Sequence, residues 1–108
     1  MQEETKEEIK TVIKLDYDVP WDEFDAKKYS NRIEVVKSIL GVDLRVFKWE
    51  KSKGGNVHVA LFSNVWFSDL EVLALQAILG SDWVRECFNL RRIRCGSLNW
   101  NILFDGEQ

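Results

Sequence analysis

Residues 42–62, VDLRVFKWEKSKGGNVHVALF, alternate apolar and polar side chains on both sides of Ser52-Lys53-Gly54-Gly55. A period of two over such lengths marks half-buried strands, and a Gly-Gly pair between them marks a tight turn, so the stretch predicts a β-hairpin. In its first arm Val42, Leu44 and Val46 stand against Arg45, Phe47 and Trp49; in its second, Val57, Val59 and Leu61 stand against Asn56, His58, Ala60 and Phe62. Residues 9–18 alternate in the same way, with Ile9, Thr11, Ile13, Leu15 and Tyr17 on one parity and Lys10, Val12, Lys14, Asp16 and Asp18 on the other. Val19-Pro20 ends that strand, because a residue before proline is held extended.

Helices fill the intervals. Ile33, Val36, Ile39 and Leu40 recur at three- and four-residue spacings, which predicts a helix over 22–40 that Gly41 caps and whose weakest point is Ser30. Ser68-Asp69-Leu70-Glu71 is a capping box opening an apolar helix that Gly80 terminates. A second helical stretch covers 82–94, and 100–105 reads as a last short strand. The order βαββαβ predicts an α+β fold of the ferredoxin-like or RNA-recognition-motif (RRM-like) kind. Its four-stranded antiparallel sheet, order 4-1-3-2, would have the first and third strands central and the helices on one face.

The chain has 108 residues, 45% hydrophobic and 31% charged, with one proline and six glycines. That composition predicts a single globular domain over 9–108 behind a disordered acidic leader, 1–8, and excludes collagen-like or low-complexity architectures. A net charge of −3 excludes a polybasic binder, so any nucleic-acid contact has to come from a local patch. No apolar run reaches the roughly 18–20 residues of a membrane span. The opening MQEETKEE lacks the basic-then-apolar order of a signal peptide, so an intracellular (cytoplasmic) protein with no membrane partner is expected. Cys87 and Cys95 are too few for a disulfide scaffold or a zinc site and are expected to be reduced and buried. Trp21, Trp66 and Trp83, near element starts, are expected to be packing anchors.

Helices covering the apolar parity would leave a second face of the sheet open. That face would carry Asp16 and Asp18, then Arg45, Phe47 and Trp49, then His58 and Phe62, and finally Asn101, Leu103 and Asp105. Two aspartates at i and i+2 on a strand point the same way, and a third carboxylate across the ladder would make a hard-oxygen site for Mg²⁺ or Mn²⁺. Capping aspartates at a strand end, an ordinary strand histidine and a solvated terminus account for the same residues without chemistry.

On these residues the chain resembles the catalytic core of the archaeo-eukaryotic primase superfamily. Leu15-Asp16-Tyr17-Asp18 stands where that family has a strand with Asp-x-Asp, and Val35-Val36-Lys37-Ser38-Ile39-Leu40-Gly41 ends the helix that follows. Ser52-Lys53-Gly54-Gly55-Asn56-Val57-His58-Val59 stands for its glycine turn and strand histidine, with Asn56 in place of a small residue; Phe104-Asp105 stands for its hydrophobic-Asp motif. The resemblance implies a minimal or degenerate primase-polymerase-like palm domain, a metal-dependent nucleotidyltransferase if it is an enzyme, serving DNA replication. It implies that Asp16, Asp18 and Asp105 are catalytic and hold the Mg or Mn ions, and that His58, with Lys53, binds a nucleotide phosphate. Leu79-Gly80-Ser81-Asp82, Arg85-Glu86 and Asn89-Leu90-Arg91 resemble small uncharacterised proteins of archaeal viruses, phages and plasmids, which implies a mobile-element origin.

The open face allows a second class of function. Phe47 and Trp49 lie where RNA-recognition motifs stack bases, and Arg85, Arg91, Arg92 and Arg94 form either a phosphate-tracking patch or a solvated helix face. A noncatalytic RRM-like module binding nucleic acid or protein would use the aromatics directly. A homodimer, or a larger replication complex, would bury them instead, because together they make a large apolar patch. Template-directed synthesis by an isolated monomer is not expected, since positioning template, primer and nucleotide takes more surface than one sheet face offers.

Overall fold

A computed structural model of the chain describes residues 8–102. Among them, three antiparallel strands and three α-helices make a mixed α+β fold. The strands are β1 (Thr11–Tyr17), β2 (Arg45–Lys51) and β3 (Val57–Ser63). The helices are α1 (Ala26–Leu40), α2 (Asp69–Ile78) and α3 (Trp83–Arg94), with a single 3-10 turn, Trp21–Glu23, ahead of α1. Most of the leader, residues 1–7, and residues 103–108, including Leu103, Phe104 and Asp105, lie outside the described residues.

Local chemistry sets the element ends. Asp25 accepts the Lys28 N–H at 3.1 Å and starts α1, which runs through Ser30 unbroken to Gly41, whose φ of 68° ends it. The capping box of α2 is closed on both sides: Ser68 N–H donates to Glu71 Oε1 at 2.8 Å, and Glu71 N–H donates to Ser68 Oγ at 3.2 Å. Between β2 and β3, Gly55 N–H reaches the Ser52 carbonyl at 2.9 Å with φ of 90°, a conformation that favours glycine.

The strand order is β1-β3-β2, with β1 antiparallel to β3 and β3 antiparallel to β2. Ile13, Leu15 and Tyr17 from β1 join Val57, Val59 and Leu61 from β3 in one core, covered by Ile33 and Val36 of α1 and by Val72 and Leu75 of α2. Leu44, Leu79 and Trp100 complete it. Tyr17 donates its hydroxyl to the Leu79 carbonyl at 2.8 Å, and burial pushes its phenol pKa well above the ordinary value.

Three expectations need correction. First, β1 is an edge of the described sheet and not a central strand, and residues 100–102 form no strand. Its outer edge is taken by side chains of the α2–α3 region. Lys14 N–H donates to Gln76 Oε1 at 3.0 Å, the Lys14 carbonyl accepts from Arg85 Nη1 at 2.8 Å, and Asp16 N–H donates to Ser81 Oγ at 3.0 Å. The Asp82 N–H then bonds the Asp16 carbonyl at 2.6 Å. Backbone groups along an edge must find partners, and here side chains supply what a fourth strand would have.

Second, that arrangement turns α3 inside out. Arg85, Glu86 and Asn89 are buried, whereas Trp83, Val84, Cys87 and Leu90 face outward. Arg85, 0% exposed, is therefore no solvated helix residue, and Cys87 and Cys95 are exposed where buried thiols were expected. Trp21, Trp66 and Trp83 are also exposed and anchor nothing central; Trp100 is the buried tryptophan of the core.

Third, Trp49 lies on the core side. A β-bulge between Val46 and Lys48 inserts Phe47 as an unmatched residue, so Val46 opposes Leu61 but Trp49 opposes Val59, and the alternation reverses. Trp49 packs on Phe24 with ring centroids 5.5 Å apart, joining Tyr17 and Tyr29 in an aromatic cluster. That position takes Trp49 off the open face on which a base-stacking role was expected.

Candidate functional site

The register places Asp16 directly opposite His58 across the β1–β3 ladder, and Glu50 opposite His58 from β2. Cross-strand partners project to the same face, so Asp16 and His58 do share the face opposite the core, as their parity requires. They are not solvated there. Asp16 is 6% exposed and His58 4%, and the imidazole Nε2 lies 3.6 Å from Asp16 Oδ1, an ion pair whenever His58 is protonated.

This pair forms the floor of a cleft of about 190 Å³ whose wall also includes Asp18, Ser52, Gly54, Asn56 and Asp82. Three elements meet there: the end of β1, the turn of the hairpin, and the start of α3. Asn56 Nδ2 donates to Asp18 Oδ1 at 3.2 Å, tying the turn to the strand end, and Asn56 N–H donates to Ser52 Oγ at 3.0 Å, holding the turn closed. Lys53 is exposed on that turn. The structure thus brings Asp16, Asp18 and His58 together and adds Asp82, which spacing along the chain gave no reason to include. Asp105, the third expected carboxylate, lies outside the described residues. Among the described residues no group of three or more His, Cys, Asp or Glu side chains is placed to hold a metal ion.

The rest of the exposed face is banded. Next to the Asp16–His58–Glu50 row comes Lys14–Ala60–Lys48, and after it Val12–Phe62–Arg45. Phe47, swung outward by the bulge and 54% exposed, sits against Phe62 with ring centroids 5.7 Å apart. Each cation has a partner: Lys48 Nζ is 3.2 Å from Glu50, Arg45 Nε is 3.0 Å from Asp43, and Lys14 Nζ donates to the Asn101 carbonyl at 3.3 Å. The exposed pairs at Lys48 and Arg45 have little energy and yield readily to a stronger anion.

Beside the β1 edge, the polar network is continuous. Arg85 donates from Nε to the Ile102 carbonyl at 2.8 Å and from Nη2 to Asn101 Oδ1 at 2.7 Å, and it pairs with Glu86. Gln76 Nε2 and Asn89 Nδ2 both donate to Glu86 Oε1, at 2.9 and 3.0 Å. Burial pushes the Arg85 pKa below its ordinary value while the Glu86 carboxylate pulls it back up. A larger groove, about 610 Å³, opens between the start of β1, the start of α2 and residues 98–102, with Trp66 and Leu98 on its rim.

No family model matches the chain, and no solved structure matches it. A curated relative is the uncharacterised protein ORF144 of Acidianus filamentous virus 1. It is 28% identical over 93 residues, an alignment spanning 78% of this chain and 65% of that protein. This similarity supports the resemblance to small archaeal-virus proteins; the comparisons offer nothing for the primase superfamily. Among the described residues, no helix is long and apolar enough to cross a membrane.

Proposed function

We propose that the chain is a noncatalytic nucleic-acid-binding module that works through the exposed face of its sheet. The carrying observation is the Phe47–Phe62 ring pair, flanked by Arg45, Lys48 and Lys14, on the sheet face opposite the core that α1 and α2 cover. Unstacked bases lie on the phenyl rings and the backbone phosphates meet the cations, a sequence-tolerant mode suited to single strands. Ala60, at the centre of the basic row, leaves space for a base to approach the sheet. The order β1-β3-β2 supports kinship with RRM-like sheets, and the viral relative supports a mobile-element setting.

Fluorescence anisotropy with labelled single-stranded oligonucleotides tests this directly. Base stacking contributes about 1–3 kcal/mol per base, so Phe47→Ala weakens binding by roughly five- to 150-fold. Lys48→Ala weakens it less and flattens its salt dependence. Binding unchanged in both variants contradicts the proposal.

The cleft favours a second reading, in which a minimal primase-polymerase-like palm binds Mg²⁺ or Mn²⁺ and a nucleotide phosphate. Asp16, Asp18 and Asp82 line one cavity with His58 but are not placed to hold an ion as they stand, so this reading requires the carboxylates to draw together around the cation. In this reading Mn²⁺ raises the melting temperature and Asp18→Asn abolishes the rise. No rise in the parent chain removes it.

A further inference from the structure

Along the outer edge of β1 the protein itself satisfies the backbone of Lys14 and Asp16, through Gln76, Arg85, Ser81 and Asp82. Backbone direction alternates along a strand, so the N–H and C=O of Val12 point off the same edge. Among the described residues neither has a hydrogen-bond partner there. They open on the groove of about 610 Å³ between the start of β1, the start of α2 and residues 98–102, a size in the ordinary range of small-ligand sites. Trp66, which also lines that groove, is held in place from both sides. The Thr11 hydroxyl donates to the Val65 carbonyl at 2.8 Å and accepts from the Phe67 N–H at 3.2 Å, so one buried side chain pins the residues on either side of the tryptophan. The indole itself is 71% exposed. Lys10 and Lys14 line the groove from β1, and Asp69 lines it from α2.

We infer that this groove takes one unpaired nucleotide of the single strand whose neighbouring bases lie on Phe47 and Phe62, an inference that rests on the sheet-face reading above. The base stacks on Trp66 and turns its Watson–Crick edge to Val12. Every base has a hydrogen-bond donor beside an acceptor on that edge, so the backbone pair of Val12 selects a base that is unpaired without selecting which base it is. The phosphate lies toward Lys10 and Lys14, and Asp69 repels it from the α2 side, which fixes the direction of entry. The path from the sheet face is continuous. Val12 stands opposite Phe62 and Lys14 opposite Ala60, one strand spacing of about 4.8 Å from the residues that flank the ring pair. An extended peptide adding to this edge would find Val12 alone to pair with, whereas strand addition needs a row of free groups; a base needs only the one pair.

Two measurements on the full chain test it: anisotropy with labelled single-stranded oligonucleotides, and hydrogen exchange of the Val12 amide. Trp66→Ala weakens binding by at least about fivefold. Because the indole is exposed, the melting temperature stays that of the parent chain, which separates lost binding from lost folding. Saturation with the oligonucleotide slows exchange at Val12 by at least about tenfold. A duplex of the same sequence binds more weakly than the single strand, since its base edges are already paired. Binding that falls in Phe47→Ala but not in Trp66→Ala, or Val12 exchange that the oligonucleotide leaves unchanged, overturns the groove assignment and leaves the sheet-face reading standing. So does a Val12 amide already protected to that degree in the free chain, whose edge is then paired from within the protein, and so does a duplex that binds as tightly as the single strand. Binding indifferent to Phe47→Ala overturns the sheet-face reading, and this inference with it.

Discussion

Arg85 holds together what the sequence separates: the edge of β1, the α2–α3 connection at Ser81 and residues 101–102. Its guanidinium contacts the Lys14 and Ile102 carbonyls, Ser81, Asn101 and Glu86 from a fully buried position. Removing one member of a buried pair strands the other's charge, so Arg85→Ala costs about 3–5 kcal/mol, read by urea denaturation. A loss under 1 kcal/mol would mean that water replaces the guanidinium without penalty. Gly80 is a second constrained position. At φ of 97° an added Cβ would stand 3.2–3.3 Å from Arg32, Tyr17 and Tyr29, so Gly80→Ala destabilises by about 1–3 kcal/mol in the same measurement. Gly80 was readable as a helix terminator; the buried role of Arg85 was not, because it depends on carbonyls 71 and 17 residues away in sequence.

At the scale of elements, what the sequence disclosed was what is local. Caps at Ser68 and Gly41, the Gly54-Gly55 turn and the shared face of Asp16 and His58 all follow from spacings of a few residues or from strict alternation, whereas the register that sets those two opposite each other does not. The bulge at Phe47 left no such trace. Val46, Phe47 and Trp49 are all apolar enough for either face, so the alternation reads equally well with or without an extra residue. The two aromatics consequently do different work, and their variants separate. Trp49→Ala lowers stability by about 2–3 kcal/mol through the aromatic cluster with Phe24 and leaves oligonucleotide affinity of the folded protein unchanged. Phe47→Ala alters stability by under about 1 kcal/mol and weakens binding. The reverse pattern would place the bulge elsewhere in β2.

For the whole molecule, the three strands with α1 and α2 form a one-sided sandwich, and α3 closes the β1 edge with polar side chains turned inward. Among the described residues, the banded sheet face with Phe47 and Phe62 and the apolar outer ridge of α3 both stand exposed. The cleft at Asp16 and His58 lies at the end of the first. The most direct test of the sheet-face assignment is a residue-resolved titration: ¹H–¹⁵N spectra of the chain as an unlabelled single-stranded oligonucleotide is added. Saturable shifts centred on the amides of Arg45–Lys48 and Ala60–Phe62 are expected, with α3 unperturbed; shifts confined to α3, or none anywhere, would contradict the assignment.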